Sequence, residues 1–316
     1  MQEVFNYYYD PRYPLVGLRD ISEVKSFLTE QKLSGIELST ELPCCSKEWQ
    51  DAVVGFHLPC WYNWLSFYKN DREQLREWFP DEASLKNYYG AAELGEWLEL
   101  LRVKVKLALS YKPEYLVWHV TQVTPKEAFT FKFHYANTEI LAATAELYKR
   151  VADCIHQDVM VLFENLWWSG LDLRNVEELK KFMELLKGYN VGVILDTGHL
   201  LNTSLIARTE AEGIAWLLEQ IDKLGDGKQY IKGLHLNLSL SAEYRQGIEH
   251  IYPIGCTNEQ LLGHVYNIDQ HKAFQDKAIA ELVAKVDPIY LNHELAYEGR
   301  TDLQRLLMQQ RKACFK

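Results

Sequence analysis

The chain has 316 residues, 47% of them hydrophobic and 25% charged, which excludes an intrinsically disordered protein and suits one α/β barrel with insertions. Its formal net charge is −10; an acidic surface repels phosphate backbones, so a general nucleic-acid binder is disfavoured. The six cysteines, Cys44, Cys45, Cys60, Cys154, Cys256 and Cys314, form no CxxC pair and no structural zinc spacing, which points to a reducing compartment.

Taken in chain order, the apolar patterning predicts a strand over Val4–Tyr9, then a helix over Ile21–Lys32 with Val24, Phe27 and Leu28 on one face. Gly35–Ser39 is the second strand and Val53–Pro59 the third. An insertion of about 60–112 follows, and its later part is helical in pattern. Strands four to eight are expected at Tyr115–Thr121, Val159–Leu166, Val191–Thr197, Tyr230–Asn237 and Pro288–Leu295. Helices are expected at Thr138–Gln157, Asn175–Leu186, Thr209–Leu224, within Asn258–Val286, and from Thr301 to about Lys312.

Strands alternating with helices imply βαβ crossovers and a parallel sheet, and eight strands close a (β/α)8 TIM barrel. A doubly wound open sheet would carry a Gly-rich phosphate loop after its first strand, and none is visible. One domain over 1–316 is the expectation. The N-terminus has no charged segment leading into an apolar one, and no run approaches the roughly 20 apolar residues of a membrane span. The chain is therefore read as cytoplasmic, acting on a small molecule, with no membrane partner, nucleic acid disfavoured and a homo-oligomer open.

The chemistry concentrates at strand ends. His57, His119, Glu164, Asp196, His199, His235 and Glu294 each stand at or just past the end of an apolar run, with His250 in the loop after the seventh strand. A barrel assembles its active site from the C-terminal ends of its strands. Carboxylates converging there repel one another, and a divalent cation removes that cost. Imidazoles at such positions can bind Zn²⁺, Mn²⁺, Co²⁺ or Fe²⁺. Asp196 and His199 lie three residues apart in LDTGH, with Gly198 allowing a tight turn between them. Trp61, Trp64, Trp118, Trp167 and Trp168 flank these positions and could wall a substrate pocket. Arg245 and Arg300 are the candidate anion partners. His293 should face away from the mouth. His134, His156, His264 and His271 have no strand-end context and receive no role.

The ordered elements HLP, FENLW, LDTGH, LHLN and NHEL resemble those of the xylose isomerase-like TIM barrel superfamily, which holds sugar isomerases and epimerases and the endonuclease IV-type proteins. The resemblance spans Gly35 to Glu294. It implies one divalent ion, Zn²⁺ or Mn²⁺ with Co²⁺ or Fe²⁺ as alternatives, on Glu164, Asp196, His235 and Glu294. Glu164 and Glu294 would then exchange a proton through an enediolate, with His199 contacting substrate. His57, His119, Trp61, Trp118, Trp167, Arg245 and His250 would line the substrate site. In the endonuclease branch the additional ligands would be His57, His119, His199 and His250. That branch has a carboxylate two residues before its loop histidine, where this chain has Ile248 before His250, and Asn237-Leu238 replaces a common Lys-Asp. Both departures count against a trinuclear zinc site. The expectation is a metal-dependent isomerase or epimerase of a small polyhydroxylated substrate. The alternatives are a zinc phosphoesterase and a non-catalytic metal-binding barrel.

Overall fold

A computed structural model describes residues 1–315. Eight strands are present: β1 (Gln2–Tyr8), β2 (Gly35–Ser39), β3 (Val53–His57), β4 (Tyr115–His119), β5 (Met160–Glu164), β6 (Val191–Asp196), β7 (Ile231–His235) and β8 (Tyr290–His293). They pair in sequence order, all parallel, and β8 returns to β1 to close the barrel. The expected TIM barrel is therefore the fold. Several strands stop on the residue singled out for chemistry: His57, His119, Glu164, Asp196 and His235 are each the last of their strand.

Strand side chains alternate inward and outward. Val4, Val54, Tyr115, Val117, Leu162, Ile194 and Tyr290 form a compact apolar cluster of their own, the layered filling of a barrel interior. Gly55 makes room for it, since a Cβ there would come within 2.2 Å of the Tyr115 ring. The outward faces meet the helices. In helix Ile21–Gln31 the buried residues are Val24, Phe27 and Leu28, and the Asp20 side chain caps its start by accepting from the Glu23 amide. Each large apolar side chain buried this way contributes about 1.5–3 kcal/mol. The last helix, Arg300–Cys314, is tied in by Gln310, which donates to the Leu236 carbonyl and accepts from the Phe274 amide.

The segment between β3 and β4 holds four helices, Leu65–Tyr68, Arg72–Trp78, Glu82–Tyr89 and Leu94–Ser110. They share a second core of Trp64, Phe67, Tyr89, Trp97 and Leu101 with Ile140 and Leu147 of helix Asn137–Val151. The helical pattern expected within Asn258–Val286 divides into Asn258–Ile268 and Ile279–Val286. Between them, Asp269 leaves helical geometry, His271 has a φ of 47°, and Lys272 bridges to Leu238. Among the described residues, no helix is long and apolar enough to cross a membrane.

Candidate metal centre

Barrel register sets the level of the strand-end side chains. His119 is paired with Glu164 across β4 and β5, and Asp196 with His235 across β6 and β7. Glu164 is fully buried and lies at the centre. Its Oε2 is 3.2 Å from His57 Nε2 and 3.0 Å from His119 Nε2. Its Oε1 is 3.1 Å from His235 Nδ1 and 3.3 Å from His199 Nδ1. His235 Nδ1 is also 3.0 Å from Glu294 Oε2 and 3.9 Å from Asp196 Oδ2. Further along the mouth, Asp269 Oδ2 is 3.3 Å from His199 Nε2 and 2.8 Å from His271 Nε2.

These contacts resolve into three groups of candidate ligands: His57, His119 and Glu164; Glu164, Asp196, His235 and Glu294; and His199, Asp269 and His271. Within each group the donor atoms lie within 4.8 Å of one another. Glu164 belongs to two groups, with one carboxylate oxygen turned to each.

The outer nitrogens decide what the inner ones can do. His235 Nε2 donates to Glu37 Oε2 at 2.9 Å, His199 Nδ1 to the Asn165 carbonyl at 2.8 Å, and His271 Nδ1 to the Glu294 carbonyl at 3.1 Å. His57 Nδ1 faces the Leu58 carbonyl at 3.4 Å. Oxygens of these kinds accept only, so in each neutral ring the outer nitrogen carries the proton and the inner one presents a lone pair. For His57, His235, His271 and the Nε2 of His199, that lone pair looks at a carboxylate. A cation between them resolves the clash, as in metal sites whose histidines are oriented by an outer carboxylate or carbonyl. Glu294 Oε2 is buried and accepts no hydrogen bond although His235 Nδ1 is 3.0 Å away. The mixed nitrogen and oxygen donors suit Zn²⁺, Mn²⁺, Co²⁺ or Fe²⁺. The residues thus fit divalent ions.

Electrostatics give the same reading. Burial disfavours the charged imidazoles, yet the surrounding carboxylates hold His199 and His235 well above the ordinary histidine range and His271 up to about 10. Burial, reinforced by Glu294 and Glu164, pushes the Asp196 carboxyl well above the usual carboxylate range. Burial opposes the charge on Glu164 too, but His119 and His235 hold it well below that range. The centre concentrates more negative charge than one proton per imidazole distributes comfortably.

Asp196 is held by its neighbours. Its Oδ2 accepts from Asn237 Nδ2 at 2.7 Å, its amide donates to Asn165 Oδ1 at 2.8 Å, and its Oδ1 accepts from the His199 amide at 2.5 Å. The residue between Thr197 and His199 must be glycine, because a Cβ at Gly198 would lie 1.8 Å from Asn237 Oδ1.

No family model and no curated protein matches this sequence. Solved structures do match in fold. Endonuclease IV from Thermus thermophilus aligns with a TM-score of 0.57 at 12% identity, over 99% of this chain and 98% of that one. An L-ribulose 3-epimerase aligns with a TM-score of 0.54 at 12% identity, over 98% and 92%. A D-tagatose 3-epimerase-like protein aligns with a TM-score of 0.53 at 13% identity, over 99% and 98%. At such identities the likeness shows a shared fold, a closed parallel barrel ringed by helices.

The four strand-end residues expected to hold an ion do converge, and His57, His119 and His199 lie beside them. His250 does not. It sits outside all three groups with a φ of 53° and its ring 5.6 Å from that of Phe131. The carboxylate-x-histidine spacing sought at Ile248 and His250 occurs instead at Asp269 and His271. Arg245 is likewise turned away from the mouth, buried over the Phe131 ring at 4.2 Å and donating to the Asn202 carbonyl. Arg300 pairs with Glu30. Glu37, also absent from the expected set, is buried in β2 and accepts from both His235 and Tyr115.

A cavity of about 830 Å³ opens over the centre. Glu37, His57, His119, His199, Asp269, His271 and Glu294 form its metal side. Trp167 and Trp168 line it as well. Trp61 and Trp118 do not: they border a narrow space beside His119, with Trp97 and Leu101. Trp61 packs on Trp97 of the β3–β4 insertion at 5.4 Å, and Trp118 on Tyr148 of helix Asn137–Val151 at 6.3 Å.

Proposed function

We propose that this barrel is a multinuclear metal-dependent hydrolase of phosphoesters, with zinc the ion its histidine-rich groups suit best. The observation that supports this reading is the sharing of Glu164 between two ligand groups, with the His199–Asp269–His271 group beside them. Mononuclear isomerisation needs as ligands only Glu164, Asp196, His235 and Glu294; it would use His57, His119 and His199 for substrate contacts and leaves the paired Asp269 and His271 without a purpose. Ions bound there would polarise a phosphoryl oxygen and bring the pKa of a water toward neutrality. The protein's own part is to place the donors. Glu164 spans two positions, Glu37 and the Asn165 and Glu294 carbonyls fix the imidazole tautomers, and Asn237 and the His199 amide hold Asp196. Three divalent ions would bring six positive charges against the four carboxylates of Glu164, Asp196, Asp269 and Glu294, a surplus that favours an anionic group.

A second reading, metal-dependent isomerisation or epimerisation through an enediolate, keeps support from two features. Among the described residues no lysine or arginine lines the cavity, and Glu164 and Glu294 share one ligand group, as a paired acid and base would. Elemental analysis of protein purified without chelator or metal-affinity resin, paired with assays on an aryl phosphodiester and on ketohexoses, separates the two. Two or three equivalents of metal with metal-dependent phosphoester hydrolysis support the first. One equivalent with sugar interconversion establishes the second. Bound metal without turnover on either substrate class would leave a metal-binding barrel.

A further inference from the structure

The walls of the cavity say what body the substrate carries. Trp167 and Trp168 lie with ring centroids 4.3 Å apart, and Tyr62 meets Trp168 edge-on at 5.6 Å. This aromatic surface begins at the ligands themselves: Trp167 is 5.1 Å from the His199 ring and Tyr62 is 5.9 Å from the His119 ring. Trp78 from the β3–β4 insertion and Tyr266 from helix Asn258–Ile268 also line the cavity. A volume of about 830 Å³ is that of a small-molecule pocket, which typically spans about 300–1,000 Å³.

Among the described residues, no lysine or arginine lines it. A nucleic-acid strand brings a phosphate at every nucleotide, and its binders meet that charge with a cationic groove. Here the only cationic receptor for a phosphate would be the metal centre; neighbouring phosphates would meet aromatic rings, neutral groups such as Asn63, Thr124 and Asn258, and the net charge of −10.

We infer that the substrate is a small phosphoester with a single phosphoryl group on a flat, uncharged aromatic body, and not a nucleic-acid strand. The inference rests on the hydrolase reading above. The phosphoryl group sits at the centre and the ring lies along Tyr62, Trp167 and Trp168, in the cavity that Trp78 also lines. In the reaction, water oxygen bonds to phosphorus, the phosphorus–oxygen bond to the aryl alcohol breaks, and the alcohol leaves with a proton from that water; nothing is oxidised or reduced.

Isothermal titration calorimetry on the zinc-reconstituted protein tests this, with phenylphosphonate, inorganic phosphate and a duplex oligonucleotide bearing an abasic site as probes. Burying one phenyl ring should make phenylphosphonate bind about tenfold or more tighter than phosphate. That preference should narrow in Trp78→Ala and, as a check at a more exposed position, in Tyr266→Ala. Phosphate and phenylphosphonate binding equally, or the duplex binding as tightly as phenylphosphonate, overturns the aromatic-substrate inference and leaves the hydrolase reading standing. If zinc loads and no anion binds, the hydrolase reading falls and the inference with it.

Discussion

Glu37 touches no proposed ion, yet it decides which nitrogen of His235 can. Its Oε2 accepts from His235 Nε2 at 2.9 Å and from Tyr115 Oη at 2.7 Å, in the fully enclosed interior of the barrel. The proton is thereby fixed on Nε2, and Nδ1 is left to face Glu164, Asp196 and Glu294. Glu37→Gln keeps the size and loses the charge that makes His235 a stronger donor. It should weaken metal affinity by about 10–100-fold, the usual effect of losing an outer partner of a ligating histidine. Competition with a chromogenic chelator measures this directly, and an unchanged affinity would remove Glu37 from that role.

At the scale of elements, the stretch between helices Asn258–Ile268 and Ile279–Val286 completes the third ligand group. The first helix ends at Ile268, so Asp269 turns its carboxylate toward both His199 and His271. The backbone of Lys272 is clamped to Leu238 by a pair of hydrogen bonds of 2.7 and 3.0 Å, which carries His271 to the barrel rim. Asp269→Asn and His271→Ala should each cost one metal ion per chain while leaving the two groups that share Glu164 filled. Metal stoichiometry is the readout, and loss of every ion in either variant would mean that the three groups do not bind independently. A different charge cluster lies where β1 and β8 meet the last helix. Glu3 meets His293 at 3.3 Å and Arg311 at 2.9 Å. Burial opposes its charge, but these two partners hold it below its usual value of 4.5. A carboxylate depressed in the folded state lends stability that is present above its unfolded pKa and is lost as pH falls through the folded one. Stability should therefore drop below pH 4.5, and Glu3→Gln should flatten that part of the pH profile in chemical denaturation.

For the molecule as a whole, the centre is an electrostatic liability that bound metal would relieve. Four buried or nearly buried carboxylates converge at the barrel mouth, and ions that bind only the folded state add stability by mass action, about 2.7 kcal/mol at a hundredfold excess over Kd. Chelation should lower the melting temperature, and zinc should restore it; a melting temperature indifferent to chelator would argue that these groups hold no ion. Much of this was legible in the chain. Alternation of strand and helix patterns pointed to a barrel, because parallel strands buried on both faces read as continuous apolar runs. Glu164, Asp196, His235 and Glu294 stood out because a polar group at the end of such a run falls at the barrel mouth. Asp269 and His271 were hidden because Asn258–Val286 reads locally as helix, and where a loop returns to the barrel is set by long-range packing. Glu37 was hidden because a lone acid within GIELS carries no sign of its partners on β4 and β7. The same holds for the walls: Trp61 and Trp118 border the ligand positions in sequence, yet the insertion draws them into another cluster and presents Trp78 instead. The sequence by itself determined the fold class and the strand-end donors, since both follow from periodicity along the chain. Only the tertiary structure decided how many donor groups form and which aromatics face the cavity, because those depend on contacts between segments far apart in the chain.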